Sequence, residues 1–189
     1  MSAEDKKRII LAAGGTGGHI WPALSFGHLI SERHPECEVK YVCGSRPLER
    51  EIYAAGGVEP FVMPLAGSPL AGKGMREKGR RSADVCRSYG IAKKTVEDFR
   101  PDAALLFGGY ISLPFIAVCK KMHVRCVMHE QNARAGKATR FAAALGIDVC
   151  SGWNDCLPLS PKKYLRTGVP VRDFVLPKAE EAWKKLSLE

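Results

Sequence analysis

The chain has 189 residues, 46% of them apolar and 26% charged, which fits one globular domain with an ample core and excludes a disordered chain. No apolar run approaches the roughly 20 residues needed to span a bilayer, and Met1 to Arg8 hold no apolar signal core, which speaks against secretion. With 29 basic against 20 acidic residues the net charge is +9, which favours an anionic partner: nucleic acid, an acidic membrane surface or a phosphorylated substrate.

Short apolar runs alternate with helical patterns, the signature of βαβ units and a doubly wound parallel sheet. Arg8 to Ala13 reads as a first strand, apolar enough to be buried on both faces. The glycine-rich turn Gly14-Gly15-Thr16-Gly17-Gly18-His19 follows, and Gly18 to Arg33 carries an apolar stripe of helical period. Val39 to Cys43 is the second strand, Leu48 to Ala55 a short helix ended by Gly56-Gly57, and Pro60 to Leu65 the third strand. Residues 66–81 hold four glycines, five basic residues and one acid, and read as a mobile exposed loop; a helix is expected to resume at Ser82 and run to Phe99. Ala103 to Phe107, Val124 to His129 and Ile147 to Cys150 read as strands, with helices over Ser112 to Lys121 and Gly136 to Leu145 between them. A strand end and exit turn over Arg166 to Arg172 precedes a final amphipathic helix from Pro177 to Leu188. Seven scattered cysteines, an odd number with no C-x-x-C, read as core thiols in a reducing compartment and not as a zinc site.

Four glycines in the five residues Gly14 to Gly18 exceed what one tight turn requires. Between a strand and a helix they let a ligand approach the backbone and the free N–H groups of the helix N-terminus, and phosphate or pyrophosphate is the natural guest. A nicotinamide dinucleotide fits less well. Ile20 stands where the third glycine of G-x-G-x-x-G belongs, and Val42 to Ser45 lacks the acid that would hold a ribose. Gly67 to Gly74 misses the nucleotide-binding G-x-x-x-x-G-K-[ST] pattern at its hydroxyl position and reads as a basic loop. Gly108-Gly109-Tyr110 and His129-Glu130-Gln131-Asn132 also follow strands, so three turns are expected on one edge of the sheet, around one cleft.

Four segments, taken in order, are Gly14-Gly-Thr-Gly-Gly-His-Ile-Trp-Pro-Ala23, Gly108-Gly-Tyr-Ile-Ser112, His129-Glu-Gln-Asn-Ala133 and Gly168-Val-Pro-Val-Arg172. Together they resemble the N-terminal half of the peptidoglycan N-acetylglucosaminyltransferases, GT-B enzymes of glycosyltransferase family 28, over essentially the whole chain. Two positions depart from that pattern: Val169 stands where the family usually has asparagine, and Leu113 where it often has glycine. The resemblance implies one half of a two-domain enzyme about twice this length. Residues 1–172 would be the acceptor-binding domain and 173–189 the linker, with the donor-binding domain absent from this chain. It implies inverting transfer of N-acetylglucosamine from UDP-N-acetylglucosamine to the muramoyl 4-hydroxyl of a lipid-linked muramoyl-pentapeptide, without cofactor or metal, at the cytoplasmic face of the bacterial plasma membrane. Little or no turnover is expected from this chain alone. Two other readings remain: a subunit of a split lipid-acceptor glycosyltransferase, and a non-catalytic nucleotide-sugar or phosphate-binding module.

The reaction needs a base on the acceptor hydroxyl and stabilisation of the departing UDP. His19 is the candidate base, with an ordinary pKa suited to the task; packing or capping on the first helix is its plain alternative. Glu130 is either a second base or a structural carboxylate that bonds loop N–H groups. The resemblance carries substrate contacts onto Gly15, Thr16, Gly17, Gly18, Gly109, Asn132 and Arg172, with turn stabilisation the plain alternative for Thr16 and Asn132 and a solvated charge for Arg172; Tyr110 either lines the acceptor groove or packs. Lys73, Arg76, Lys78, Arg80 and Arg81 suit an anionic membrane surface at about 1 kcal/mol each at best. No aromatic residue is interleaved with these charges, which argues against nucleic acid.

Overall fold

The computed structural model describes residues 6–67 and 75–171, with the backbone alone for 75–82 and 85. Seven strands form one sheet in the order β3-β2-β1-β4-β5-β6-β7, and every neighbouring pair is parallel. The strands are β1 (Arg8–Ala12), β2 (Glu38–Cys43), β3 (Phe61–Val62), β4 (Ala103–Leu106), β5 (Arg125–Glu130), β6 (Asp148–Ser151) and β7 (Leu165–Arg166). The helices are α1 (Gly17–Arg33), α2 (Pro47–Ala55), α3 (Met75–Phe99), α4 (Ser112–Met122) and α5 (Lys137–Ala144). The strand order reverses between β1 and β4, which is where open parallel sheets leave a crevice beyond their carboxyl ends.

Successive strand residues point to opposite faces, and β1 feeds both. Ile10 and Ala12 join a core with Leu106, Met128, Phe115 and Ile116 beneath α3, α4 and α5. Leu11 and Ala13 join a second core with Ile20, Leu24 and Tyr53 beneath α1 and α2. All four of these β1 and turn residues are fully buried, so the continuous apolar run has the two-sided environment it requires.

The largest departure from expectation lies before α3. The helix begins at Met75, not Ser82, so Ser82 is inside a helix and not its cap. Met, Arg, Glu and Lys are all strong helix formers, and one interior glycine, Gly79, costs only about 1 kcal/mol. Arg76, Lys78, Arg80 and Arg81 therefore belong to the first turns of α3 and not to a loop, while Lys73 lies outside the described residues. The third strand is also shorter than expected, at Phe61–Val62, because Pro64 cannot continue a hydrogen-bonded ladder. The expected helix from Pro177 to Leu188 lies outside the described residues. Among the described residues no helix is long and apolar enough to cross a membrane.

Candidate active site

The turns after β1, β4 and β5 meet at the carboxyl edge of the sheet beside a cavity of about 950 Å³. His19, Gly108, Gly109, Tyr110, Glu130 and Asn132 line its end at the sheet. Tyr89 of α3, Leu113, Pro114 and Ala117 of α4, and Ala138 and Phe141 of α5 form apolar walls, with Lys137 and Arg140 beside them. The three turns singled out in the sequence thus come together around one space. The departure at Leu113 places an isobutyl group in its wall.

His19 lies in the first turn of α1. Its Nδ1 stands 3.1 Å from the carbonyl oxygen of Gly14 and 3.5 Å from the hydroxyl of Thr16. A carbonyl only accepts, so Nδ1 carries the proton and donates, and Nε2 keeps its lone pair. Nε2 lies against the backbone of Gly108, where an added Cβ would stand 3.3 Å from it. Burial pushes the pKa of His19 below its ordinary value, opposed by the charge of Glu130, the bond to Gly14 and the charge of Glu49. Burial prevails, and the imidazole is neutral at pH 7.

The N-terminus of α1 divides into engaged and open donors. Gly15 donates its N–H to Glu49 at 2.9 Å, and its carbonyl accepts from Arg46 at 3.0 Å. Gly15 was expected to offer its backbone to a ligand, but its polar groups are taken up inside the protein. His19 and Ile20 both donate to the carbonyl of Thr16. Thr16, Gly17 and Gly18 keep N–H groups with no partner among the described residues, and Thr16 and Gly18 are exposed. The phosphate cradle read from the sequence narrows to those three amides.

Gly109 has φ +73°, and a Cβ there would lie 2.6 Å from the Gly14 carbonyl oxygen. Two glycines are therefore required for the β4–α4 turn to press onto the β1–α1 turn. Tyr110 lines the cavity, and its hydroxyl donates a short hydrogen bond to Glu49. Burial, reinforced by that bond, raises the pKa of Tyr110 well above its ordinary value, so it remains a neutral donor.

Glu130 is buried at the end of β5. One oxygen accepts the backbone N–H of Asn132 at 3.1 Å and its amide at 2.9 Å; the other accepts Gly136 N–H at 2.9 Å and the Thr139 hydroxyl at 2.5 Å. Four donors occupy the four lone-pair directions of this carboxylate. Of the two readings open for Glu130, the geometry supports the structural one: no acceptor position is left for a substrate proton. Asn132 is exposed at the cavity with its NH₂ group turned to Glu130. Arg172 lies outside the described residues. The chain leading to it is anchored, because His129 Nε2 is 2.8 Å from the Gly168 carbonyl and Gln131 donates to His129 Nδ1 at 3.1 Å.

Sequence reasoning missed Glu49, Arg46, Lys137 and Arg140. Glu49 follows Pro47 in the first turn of α2, which marks a helix start but gives no sign of its distant partners. Among the described residues no group of three or more His, Cys, Asp or Glu side chains is arranged to hold a metal ion.

The glycosyltransferase family 28 N-terminal domain matches residues 9–146. A UDP-N-acetylglucosamine--N-acetylmuramyl-(pentapeptide) pyrophosphoryl-undecaprenol N-acetylglucosamine transferase of Phocaeicola vulgatus is 34% identical over 173 residues, covering 89% of this chain and 45% of the relative. The enzyme of the same name from Magnetococcus marinus is 33% identical, covering 88% of this chain and 45% of its own length. The chain spans about half the length of the curated relatives it matches. Among solved structures, the crystal structure of Acinetobacter baumannii MurG superposes with a TM-score of 0.70 at 20% identity, over 89% of this chain and 47% of that one. A UDP-GlcNAc 2-epimerase from Neisseria meningitidis superposes with a TM-score of 0.63 at 12% identity, over 86% of this chain and 46% of the other. At these identities the superpositions establish a shared fold.

Proposed function

Because the chain belongs to the glycosyltransferase family 28 N-terminal domains, we propose that it is the acceptor-binding half of an inverting N-acetylglucosaminyltransferase. Its acceptor is a lipid-linked muramoyl-pentapeptide of peptidoglycan synthesis, and its donor UDP-N-acetylglucosamine. The observation that carries this reading is the His19 imidazole at the cavity, with Nδ1 engaged by the Gly14 carbonyl and Nε2 without a hydrogen-bond partner among the described residues. The muramoyl 4-hydroxyl gives its proton to Nε2 as its oxygen attacks the anomeric carbon of N-acetylglucosamine. The bond to UDP breaks on the opposite side, so one displacement inverts the centre. The open amides of Thr16, Gly17 and Gly18, at the positive end of the α1 dipole, receive a pyrophosphate. Asn132, Gly109 and Tyr110 border the sugar, and Glu130 holds the Asn132 turn in place.

Residues 1–172 form the acceptor domain in this reading, and Arg172 with residues 173–189 leads to a donor-binding domain that completes the UDP site. Arg76, Lys78, Arg80 and Arg81 belong to the first turns of α3, whose Tyr89 walls the same cavity. They bring the cavity to an anionic lipid surface, each contributing about 1 kcal/mol at best. The protein then associates peripherally with the cytoplasmic face of the membrane.

Two amide-resolved NMR titrations of this chain test the reading, one with a soluble muramoyl-pentapeptide pyrophosphate analogue and one with UDP-N-acetylglucosamine. The analogue is expected to shift Thr16 to His19, Gly108 to Tyr110 and Asn132, with only weak effects from the donor. Tight donor binding with no response to the analogue overturns the reading in favour of a nucleotide-sugar binding module.

A further inference from the structure

Glu49 is fully buried, yet no Lys, Arg or His forms an ion pair with it among the described residues. A carboxylate in such a place is costly unless donors surround it. Three do, from three different turns. Oε1 accepts the Gly15 N–H at 2.9 Å and the Tyr110 hydroxyl, and Oε2 accepts the Gly44 N–H at 2.6 Å. The first turn of α2 adds its free N-terminal dipole. The neighbouring backbone leaves no slack: a Cβ on Gly14 would stand 2.9 Å from Oε2, and one on Gly44 2.8 Å from it.

The bond to Gly15 matters beyond packing. The N–H of Gly15 and the C=O of Gly14 belong to one planar peptide unit and point to opposite edges of it. Glu49 holds the N–H edge at 2.9 Å; His19 Nδ1 holds the C=O edge at 3.1 Å. Carboxylate, peptide and imidazole thus form one hydrogen-bonded chain. A carboxylate accepting the N–H polarises the peptide and strengthens the acceptor at its carbonyl, because linked hydrogen bonds reinforce one another. We propose that Glu49 is the positioning residue for His19, acting through the Gly14–Gly15 peptide unit to hold the imidazole in the Nδ1–H tautomer with Nε2 free. The logic is that of a carboxylate orienting a catalytic histidine, with a peptide group interposed. Tyr110 and Gly44 complete the clasp and fix where the carboxylate sits.

The ionisable groups facing His19 are Glu49 from α2 and Glu130 from β5; Tyr110 and Arg46, from the β4–α4 turn and the start of α2, flank the Gly14–Gly15 turn. Of these two carboxylates, Glu49 and not Glu130 shares a hydrogen-bonded chain with the imidazole. Glu130 acts on it through charge alone, so the tautomer separates the two.

The proposal builds on the reading of His19 as base, but its test observes the imidazole itself, without substrate or turnover. A failure here leaves the proposed reaction standing, and a failure of acceptor binding leaves this coupling standing. Imidazole nitrogen NMR would be recorded on this chain and on Glu49→Gln, Glu49→Asp and Tyr110→Phe. In the parent protein His19 is expected as the Nδ1–H tautomer, and the Gly15 amide shifts with the same midpoint as the His19 ring when pH is lowered. In Glu49→Gln the Nε2–H tautomer becomes populated and the His19 midpoint moves down, while His129, which has no contact with Glu49, titrates as before. Tyr110→Phe removes one of the three donors that seat the carboxylate and weakens the tautomer preference without abolishing it, since Gly15 and Gly44 still hold Glu49. Glu49→Asp, which keeps the charge on a shorter arm, loses part of the tautomer preference. A folded Glu49→Gln protein with unchanged His19 tautomer and midpoint overturns the proposal. If that variant does not fold, a Gly15 amide indifferent to His19 titration in the parent protein overturns it instead.

Discussion

A single methyl group measures how closely the two glycine turns approach. At Gly109 it would stand 2.6 Å from the Gly14 carbonyl oxygen, on a backbone with φ +73°. Both the contact and the dihedral oppose a side chain there. Gly109→Ala is expected to destabilise the protein by about 1–3 kcal/mol. It should also perturb the Gly14 and His19 resonances beyond those of other distant residues; denaturant melts and amide spectra together check this. A melt within about 0.5 kcal/mol of the parent would show that the turns can separate at little cost. At this scale the turns that bring His19, Gly109, Tyr110 and Asn132 to one cavity were legible from their glycines and polar residues, whereas substrate contacts at Thr16, Gly17, Gly18 and Asn132 follow from the family resemblance and belong to the proposal. Glu49 was not legible. Its donors lie 34, 5 and 61 residues away along the chain, and no local pattern records contacts of that range.

Among the elements, the β5–α5 turn depends most on one side chain. Glu130 gathers Asn132, Gly136 and Thr139 over ten residues of chain. Asn132 and Gly136 are exposed and can turn to water if the carboxylate is removed, but Thr139 is 1% exposed and cannot. Glu130→Ala is therefore expected to cost about 1–3 kcal/mol, the penalty of one stranded buried hydroxyl, and not the sum of four bonds. Adding Thr139→Val should recover part of that loss, since no unpaired hydroxyl then remains. Thermal melts of the single and double variants make the comparison; equal losses would assign the cost to the turn and not to Thr139. The elements themselves were largely legible: α1, α2, α4 and α5 fall within two residues of their expected bounds. Helix α3 was not, because the four glycines and the charges of residues 66–81 resemble a loop when counted. The backbone weighs only the single Gly79 against six strong helix formers from Met75 to Arg81.

Over the whole molecule, His19 and His129 share a thermodynamic consequence. Burial lowers the pKa of each below its ordinary value, and for His129 the bond to the Gly168 carbonyl and the charge of Glu130 oppose it only in part. The unfolded chain therefore binds protons at higher pH than the native protein. The two histidines contribute stability that is complete above about pH 6.5 and is lost as pH falls through that value toward their lowered native pKa values. The melting temperature is expected to drop between pH 7.5 and 5, above the range where most carboxylates titrate. His19→Gln should flatten that slope. A melting temperature constant over this interval would mean that neither imidazole is held neutral in the native protein.

The sequence by itself determined the doubly wound parallel sheet, the order of its elements and the three glycine and polar turns at its carboxyl edge. Each of these rests on periodicity, turn chemistry and apolar runs that act over a few residues. Only the tertiary structure decided which groups those turns leave available. It assigned the Gly15 amide to Glu49 and left those of Thr16, Gly17 and Gly18 open. It turned Glu130 into the anchor of its own loop. It also set the tautomer of His19 through a peptide whose other edge is held from α2. Hydrogen bonding is a matter of competition among every donor and acceptor that the fold brings within about 3 Å. That competition is settled by residues far apart in the chain, and it has no signature until the chain has folded.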